Sequence, residues 1–490
     1  MTTTQSARSL VLPLALAQFI ASYAGTNMNV AISTIASDLG CSVSGIQTTI
    51  TLFTLTMAAL MIPGSKLTDI WGRKRCFVLG LTIYGTGALL ASTAQGLPLL
   101  VLSYSLLEGV GSALMIPPIY ILITVAFTQM TTRAKYFGVV SGAGGLGAAA
   151  GPLIGGLITS GISWRASFVV QFLVVATIVL LAQHIVEPPQ PARRPHFDLV
   201  GAVLSAAGLF FVVFGVLQSA TFGWTSSRQA VTIGGTEILP KGSISPVWIL
   251  LAIGVVILAW CMLHLHSMER AGKEPLFSLR LFRNRTSNLG LVTQTAQWLV
   301  LQGSFFVISV FLQDVRHFNA IETGLTLTPA TLGILAASAA AQRMAQRRPQ
   351  AVLVRGGFVL TVLGIALLLA LVRVNSSVWT FVPGLLLAGI GLGVMLTASV
   401  NVVQSSFSDE QQGDISGISR SVSNLGSSLG VALAGSILVA KVVPGNTEYI
   451  AAMTVLGGVA LIGLAAAMFI RKVRPATAQP GAARTHEEAR

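Results

Sequence analysis

Apolar runs of about 20 residues, the length that crosses a hydrocarbon core roughly 30 Å thick, can be laid along this chain fourteen times. They begin near Leu10, Ile46, Cys76, Leu99, Phe137, Ala166, Leu199, Val247, Leu289, Gly324, Ala351, Val378, Ile415 and Ile450. Only 9% of residues are charged, where soluble domains carry about 25%, and the mean hydropathy is +0.78. Inside a bilayer every backbone N–H and C=O must be satisfied within the protein, so runs of this length predict helices. The chain therefore reads as an all-α polytopic membrane protein. The first run, from about Ser9 to Ile35, is too long for a signal-peptide core and has no clear cleavage site, so it is expected to remain as the first span.

The net charge of +14 would suggest a nucleic-acid partner in a soluble chain, but the Lys and Arg residues fall in short clusters between the apolar runs. Alternate connections hold most of them: Arg8; Lys66, Arg73, Lys74 and Arg75; Arg133 and Lys135; Arg193 and Arg194; Arg270 to Arg285; Arg343 to Arg355; and the carboxyl tail. The intervening connections hold only Arg165, Arg228, Lys241, Arg316, Arg373 and Lys441. The positive-inside rule then predicts both termini in the cytoplasm, with which the even span count agrees, and no nucleic-acid partner. Arg420, near the start of the thirteenth span, reads as close enough to an edge to snorkel. Cys41, Cys76 and Cys261 lack any spacing that implies a disulfide framework or a metal site.

Punctuation divides the chain into a six-span bundle (1–186), a linker with two additional central spans (187–287), a second six-span bundle (288–474) and a polar, disordered cytoplasmic tail (475–490). The middle segment contains the longest outside loop, 221–246, rich in Gly, Ser and Thr. The two six-span parts echo each other. LLEGVGSALM from Leu106 matches LLAGIGLGVM from Leu386, and Gly147, Gly151 and Gly156 match Gly426, Gly430 and Gly435 at nearly the same offset. Two echoes in consecutive, order-preserving spans favour duplication, a common construction in secondary transporters with a midplane site.

Between the second and third spans the chain reads GSKLTDIWGRKR, in which Gly64, Asp69, Gly72, Arg73 and Lys74 resemble the loop signature of the major facilitator superfamily; Ile70 departs from its usual basic residue. Gly138, Gly147, Gly151, Pro152, Gly155 and Gly156 resemble that superfamily's antiporter motif. Gly147, Gly151 and Gly155, four residues apart, make a stripe without side chains on one helix face, and Pro152 removes a backbone hydrogen bond. The segments 311–333 and 413–433 look like the second half of the fourteen-span drug:proton antiporter branch. The resemblance covers essentially the whole chain. It implies a major facilitator fold, a loop that latches one conformation, and export by exchange with protons.

Two positions depart from that branch. In the first span AGTNMNVAIS keeps Thr26, Asn29, Val30 and Ala31, but Ala24 replaces an acid and Ser33 a proline. In the fourth span Ser105 stands where the branch carries arginine, and Glu108 where it carries glutamine. Losing acid and base together avoids an unpaired charge in low dielectric. Glu108 sits about nine residues into its helix, roughly 14 Å at 1.5 Å per residue, close to the midplane. A carboxylate there costs roughly 2.5 to 3.5 kcal/mol, so it is expected to be neutral when sealed and to ionise when water reaches it. Glu108 is accordingly the candidate proton-coupling group, with pairing to a cationic substrate as its other role.

Tyr23, Asn27 and Asn29 of the first span and Gln294, Gln297 and Gln302 of the ninth are the candidate substrate-cavity groups, with Trp298 and Phe305 as possible apolar walls. No Walker-type phosphate loop and no clustered catalytic groups are present, so neither ATP use nor an enzyme is indicated, and no cofactor beyond the proton gradient is called for. The expectation is a proton-coupled exporter of small hydrophobic compounds such as drugs, antibiotics or antiseptics, working as a monomer in the lipid bilayer of a cell inner membrane. An importer or metabolite exchanger of the same fold with a different coupling ion is the alternative, and Ala24 is its best argument.

Overall fold

The computed structural model describes residues 7–127, 129–186, 196–233, 236–345, 348–405, 407, 411–439 and 447–470. Fourteen helical spans run through them: Ala7–Asn27, Val43–Trp71, Arg73–Ser92, Leu97–Leu100 continued by Val101–Glu108 and Gly109–Ala126, Met130–Gly161, Trp164–Ala182, Leu199–Phe222, Pro246–Arg270, Arg285–Val310 continued by Phe311–Val315, Ala320–Ala345, Gln350–Leu371, Phe381–Gln404, Gln412–Val439 and Thr447–Met468. Thirteen are straight enough and apolar enough to cross a membrane, and the fifth is the fourteenth, bent by 41° between Ala148 and Ala150. The bend falls within the turn whose hydrogen bond Pro152 cannot donate. All fourteen spans match those laid out on the sequence. The tail 475–490 and the linker stretch 187–195 lie outside the described residues.

The ends of the helices are closed by side chains that accept otherwise orphaned N–H groups. Ser42 Oγ accepts from Gly45 N, Asp198 Oδ1 from Gly201 N, and Asn284 Oδ1 from both Thr286 N and Ser287 N. Gly72 ends the second span with φ at 103°, a turn that a residue with a Cβ adopts only under strain. The end of the bundle that carries Gly72 is called the basic end below. In the loop 221–246 the structure adds a feature the composition did not reveal. A small antiparallel hairpin joins β1 (Val231–Ile233) to β2 (Thr236–Leu239), built from β-branched and apolar residues.

The seventh and eighth spans pack on each other, and much of the eighth is exposed: Trp248, Val255, Val256, Trp260 and Leu263 all face outward. Such a face suits lipid and would be costly in water. The other twelve spans form two six-helix halves. The second span of one half packs along the thirteenth of the other, and the fifth along the tenth.

The duplication read from the sequence is present in the packing. Gly147 and Gly151 bring the fifth span against the first, at the backbone of Phe19 and Asn27 and the side chain of Thr26, while Gly426 and Gly430 bring the thirteenth against the ninth at Thr295 and Leu299. Gly156 then meets Ala320 of the tenth span, and Gly435 meets Gln47 of the second. A Cβ at any of these positions would overlap its neighbour, so small residues set the distance between helices. Gly155 lies against Asn27 in the same stripe, and Gly138 stands nearer the basic end of that helix.

Candidate transport site

A cavity of about 50 Å³ lies between the halves. The first span supplies Gln18, Ala21, Ser22, Gly25 and Thr26; the second Phe53, Thr54 and Met57; the fourth Ile116; the ninth Trp298 and Gln302; and the thirteenth Arg420, Ser423, Asn424 and Ser427. Ligand sites for drug-sized molecules run from about 300 to 1,000 Å³, so in this conformation the cavity has room for water and not for a molecule of that size.

Polar contacts close it on both sides. Toward the end opposite the basic one, Gln313 Nε2 donates to Asn29 O at 3.2 Å, Ser33 N donates to Gln313 Oε1 at 3.1 Å, and Ser33 Oγ donates to Asp314 at 2.6 Å. Ile321 N donates to Ser160 Oγ at 3.0 Å close by. Along the second and thirteenth spans Gln47 Nε2 donates to Val431 O, and the hydroxyls of Thr54 and Ser428 are 2.7 Å apart. Toward the basic end Ser421 donates to Ala58 O, and Arg420 crosses from the second half to donate to the Tyr120 hydroxyl. The guanidinium lies 4.7 Å from the Tyr120 ring centroid, a cation–π contact.

Of the six cavity groups expected from the sequence, Gln302 lines the cavity and the others do not. Its Nε2 donates to Gly25 O at 2.8 Å, while its buried Oε1 has no partner. Tyr23 and Asn27 both turn to Ser167 of the sixth span, at 2.8 and 3.0 Å. Asn29 is buried with neither amide atom bonded, in the short 3₁₀ turn Met28–Val30. Gln294 Oε1 accepts from Ser419 at 2.9 Å, and the Gln297 amide lies 2.7 Å from the Ser399 hydroxyl. Helical phase explains the outcome. Gln18, Ser22 and Thr26 are four residues apart and share the cavity face, whereas Tyr23 and Asn27 stand 100° further round. Trp298 reaches the cavity; Phe305 instead lines a smaller apolar void in the second half.

Arg420 needs a further correction. It does not snorkel to an edge, because its helix begins at Gln412 and carries it roughly 12 Å inward at 1.5 Å per residue. The signal was available in its neighbours. Arg420, Asn424 and Ser427 recur at helical spacing on one face, which is unusual for a lipid-exposed helix.

Glu108 closes a π-helical stretch, Val101–Glu108, in the fourth span, a local widening often found at functional positions. It is fully buried, with Cγ against Gly87 of the third span, and is not among the residues that line the cavity. Neither carboxyl oxygen meets a hydrogen-bond partner by geometry. Tyr84 of the third span is its polar neighbour, and that hydroxyl donates to Gln171 Oε1 of the sixth span at 2.6 Å. The two departures noted in the sequence meet nearby. Tyr104 donates to Ala24 O at 3.0 Å, and Ser105 donates to Thr49 O at 2.8 Å, so hydroxyl to carbonyl bonds occupy the place of an acid and a base.

At the basic end Gly64 sits against the Ala113 carbonyl, joining the second and fourth spans. Asp69 has Arg73 and Lys66 as its nearby cations and Asp414, on the thirteenth span, as its nearby anion; Lys66 acts on Asp414 as well. Lys74 Nζ donates to Gln183 O at 2.9 Å, holding the loop to the end of the sixth span.

Fourteen spans in two repeated halves, with a polar cavity between them, are the architecture of a membrane transporter. The family model described as Major Facilitator Superfamily matches residues 14–431 and 353–489, and the chain belongs to that superfamily. Among similar proteins, a probable actinorhodin transporter of Streptomyces coelicolor is 29% identical over 84% of this chain and 69% of its own. The puromycin resistance protein of Streptomyces alboniger is 28% identical over 86% and 80%, and the multidrug resistance protein Stp of Mycobacterium tuberculosis 26% over 84% and 72%. The crystal structure of the human organic anion transporter MFSD10 shares the fold, with a TM-score of 0.58, 16% identity, and coverage of 94% of this chain and 99% of that one.

Proposed function

We propose that this transporter exports small hydrophobic compounds, antibiotics among them, in exchange for protons by alternating access. The observation that carries the reading is the packing of the antiporter motif. Gly147, Gly151 and Gly155 let the fifth span lie against the first, and Gly156 lets it lie against the tenth across the boundary between halves. That helix therefore links the cavity wall to the opposing half, and its bend at Pro152 gives it a place to flex. The relatives named for actinorhodin transport, puromycin resistance and multidrug resistance support the same cargo class and direction.

Glu108 is the proton carrier in this reading. Its carboxyl is fully buried with neither oxygen hydrogen-bonded, and the hydrogen of the neighbouring Tyr84 hydroxyl is held by Gln171, so the sealed state suits the neutral acid. Water entering between the third, fourth and sixth spans as the halves rock would let it ionise. The Asp69, Lys66, Arg73 and Asp414 charges form a latch that closes one end and must separate as that end opens. In this reading the protein works as a monomer in a cell inner membrane, and the positive-inside distribution supports a cytoplasmic Gly72 loop and cytoplasmic termini.

Expression in a sensitive bacterium tests direction: accumulation of puromycin should fall and the tolerated dose should rise. Increased uptake would favour an importer or metabolite exchanger instead, the reading to which Ala24 lends weight. Proteoliposomes with an imposed pH gradient test coupling, since collapse of the gradient should stop concentrative transport.

A further inference from the structure

We infer that the cavity selects compounds with an apolar, aromatic body and a negative charge, and that Arg420 is the residue that recognises the charge. The inference rests on the exporter reading above and adds the chemistry of its cargo. Among the fifteen described residues around the cavity, Arg420 carries the only formal charge, and none of them is a carboxylate. Glu108, the buried acid of the neighbouring spans, lies against Gly87 and Tyr84 and is not among the residues that line the cavity. A lipophilic cation entering this space would meet a guanidinium and no counter-ion. An anion would replace water around that guanidinium with a charge-assisted, two-pronged contact.

The other groups fit the same molecule. Arg420 is held in place by the Tyr120 ring and hydroxyl, and Tyr120 in turn donates to Gln18 Oε1 at 3.3 Å, so the cation is positioned before cargo arrives. Trp298 offers a flat apolar wall. Gln302 Oε1, buried and without a partner, is an acceptor waiting for a phenol or amide hydrogen. An aromatic acid bearing one hydrogen-bond donor satisfies all three features together. Arg420 also spans the boundary between halves, so a bound anion competes with Tyr120 for it. Cargo would then loosen a contact that holds the cavity closed.

The test uses the full-length protein in proteoliposomes with an imposed pH gradient and two permanently charged aromatic probes, naphthalenesulfonate and tetraphenylphosphonium, with puromycin as a further cargo. Wild type should move the sulfonate at least tenfold faster than the phosphonium. Arg420→Gln should lose that preference, and Arg420→Lys should keep part of it. Equilibrium binding of both probes to purified wild type, followed by tryptophan fluorescence, guards against a variant that fails to fold. Preference for the phosphonium in wild type, or an Arg420→Gln protein that retains full sulfonate preference, overturns the inference and leaves export intact. Absence of gradient-driven movement of both probes and of puromycin overturns the exporter reading and the inference with it.

Discussion

The third and fourth spans of the first half pack as the eleventh and twelfth do in the second, yet the two pairs enclose opposite chemistry. Gly80 and Gly111 bring one pair together, and Gly357 and Gly391 the other. Gly87 backs onto Glu108, and Gly364 backs onto Ala388. Tyr84 lies against Gly111, and Thr361 against Gly391. Where the first half fills this space with a carboxyl, a phenol and the amide of Gln171, the second leaves an apolar void of about 20 Å³ lined by Thr361, Ala388, Leu385 and Phe305. The backbone scaffold is therefore indifferent to the acid. Alanine at the matched position of the second half keeps the same helix contact, so this packing does not require a glutamic acid.

The largest effect expected is on the scaffold itself. Gly147→Leu and Gly426→Leu would each drive a side chain into a backbone carbonyl, of Phe19 and Thr295 respectively. Overpacking costs about 1 to 3 kcal/mol and sometimes more, and backbone cannot give way as a side chain can. Both variants should melt lower in detergent by similar amounts, at the upper end of that range. If one were harmless, the two halves would not be held together alike.

Ala388→Glu transplants the acid without its phenol and amide. Insertion scales put a lone carboxyl at the bilayer centre at roughly 2.5 to 3.5 kcal/mol, so stability should fall by an amount of that order. An unchanged melting temperature would show that Tyr84 and Gln171 are not what makes Glu108 tolerable. Tyr84→Phe is milder. It strips Gln171 Oε1 of its donor, leaving a buried acceptor unpaired at about 1 to 3 kcal/mol, whereas Thr361→Val removes only a bond to Gly357 O within its own helix and should cost less. Equal losses in the two variants would erase the contrast between the halves.

The smallest effect expected is at the membrane surface of the first half. The hydrogen bond from Trp164 Nε1 to Asp38, and then the Arg165 guanidinium, hold the Asp38 carboxyl below its ordinary value of 3.8. A lowered acid contributes stability that is present above its unfolded value and lost as pH falls through the folded one. The contribution should therefore be constant at neutral pH and fade only in acid below about 4, by a small amount because the pair is exposed to water. Melting curves of wild type and Asp38→Asn should converge there. Curves that stay as far apart well below pH 4 as they are at neutral pH would contradict the assignment.

Much of the architecture was legible in the chain because the bilayer imposes it. A helix has to be about 20 apolar residues long to cross, so fourteen such runs give fourteen spans, and glycines four residues apart mark where helices touch. The cavity was harder to read. Tyr23, Asn27, Gln294 and Gln297 and the cavity-lining Gln18, Ser22 and Asn424 are alike as residue types, since a polar group in a membrane helix bonds to a neighbouring helix as readily as it faces water. Only the phase of each helix, fixed by packing, separates the two sets. Arg420 was misplaced because its distance from a helix end depends on where that end lies, and the thirteenth span starts several residues before its apolar run. Glu108 stood out from the first because a lone acid in an apolar run needs no phase to be noticed.

Gradient-driven exchange by Glu108→Gln protein in proteoliposomes tests the account most directly, because glutamine keeps the shape and polarity of the neutral acid and removes only its capacity to release a proton. The account predicts a fall of at least tenfold in proton-driven export, with the folded protein and its affinity for cargo retained. Export at the wild-type rate, still dependent on the pH gradient, would contradict it.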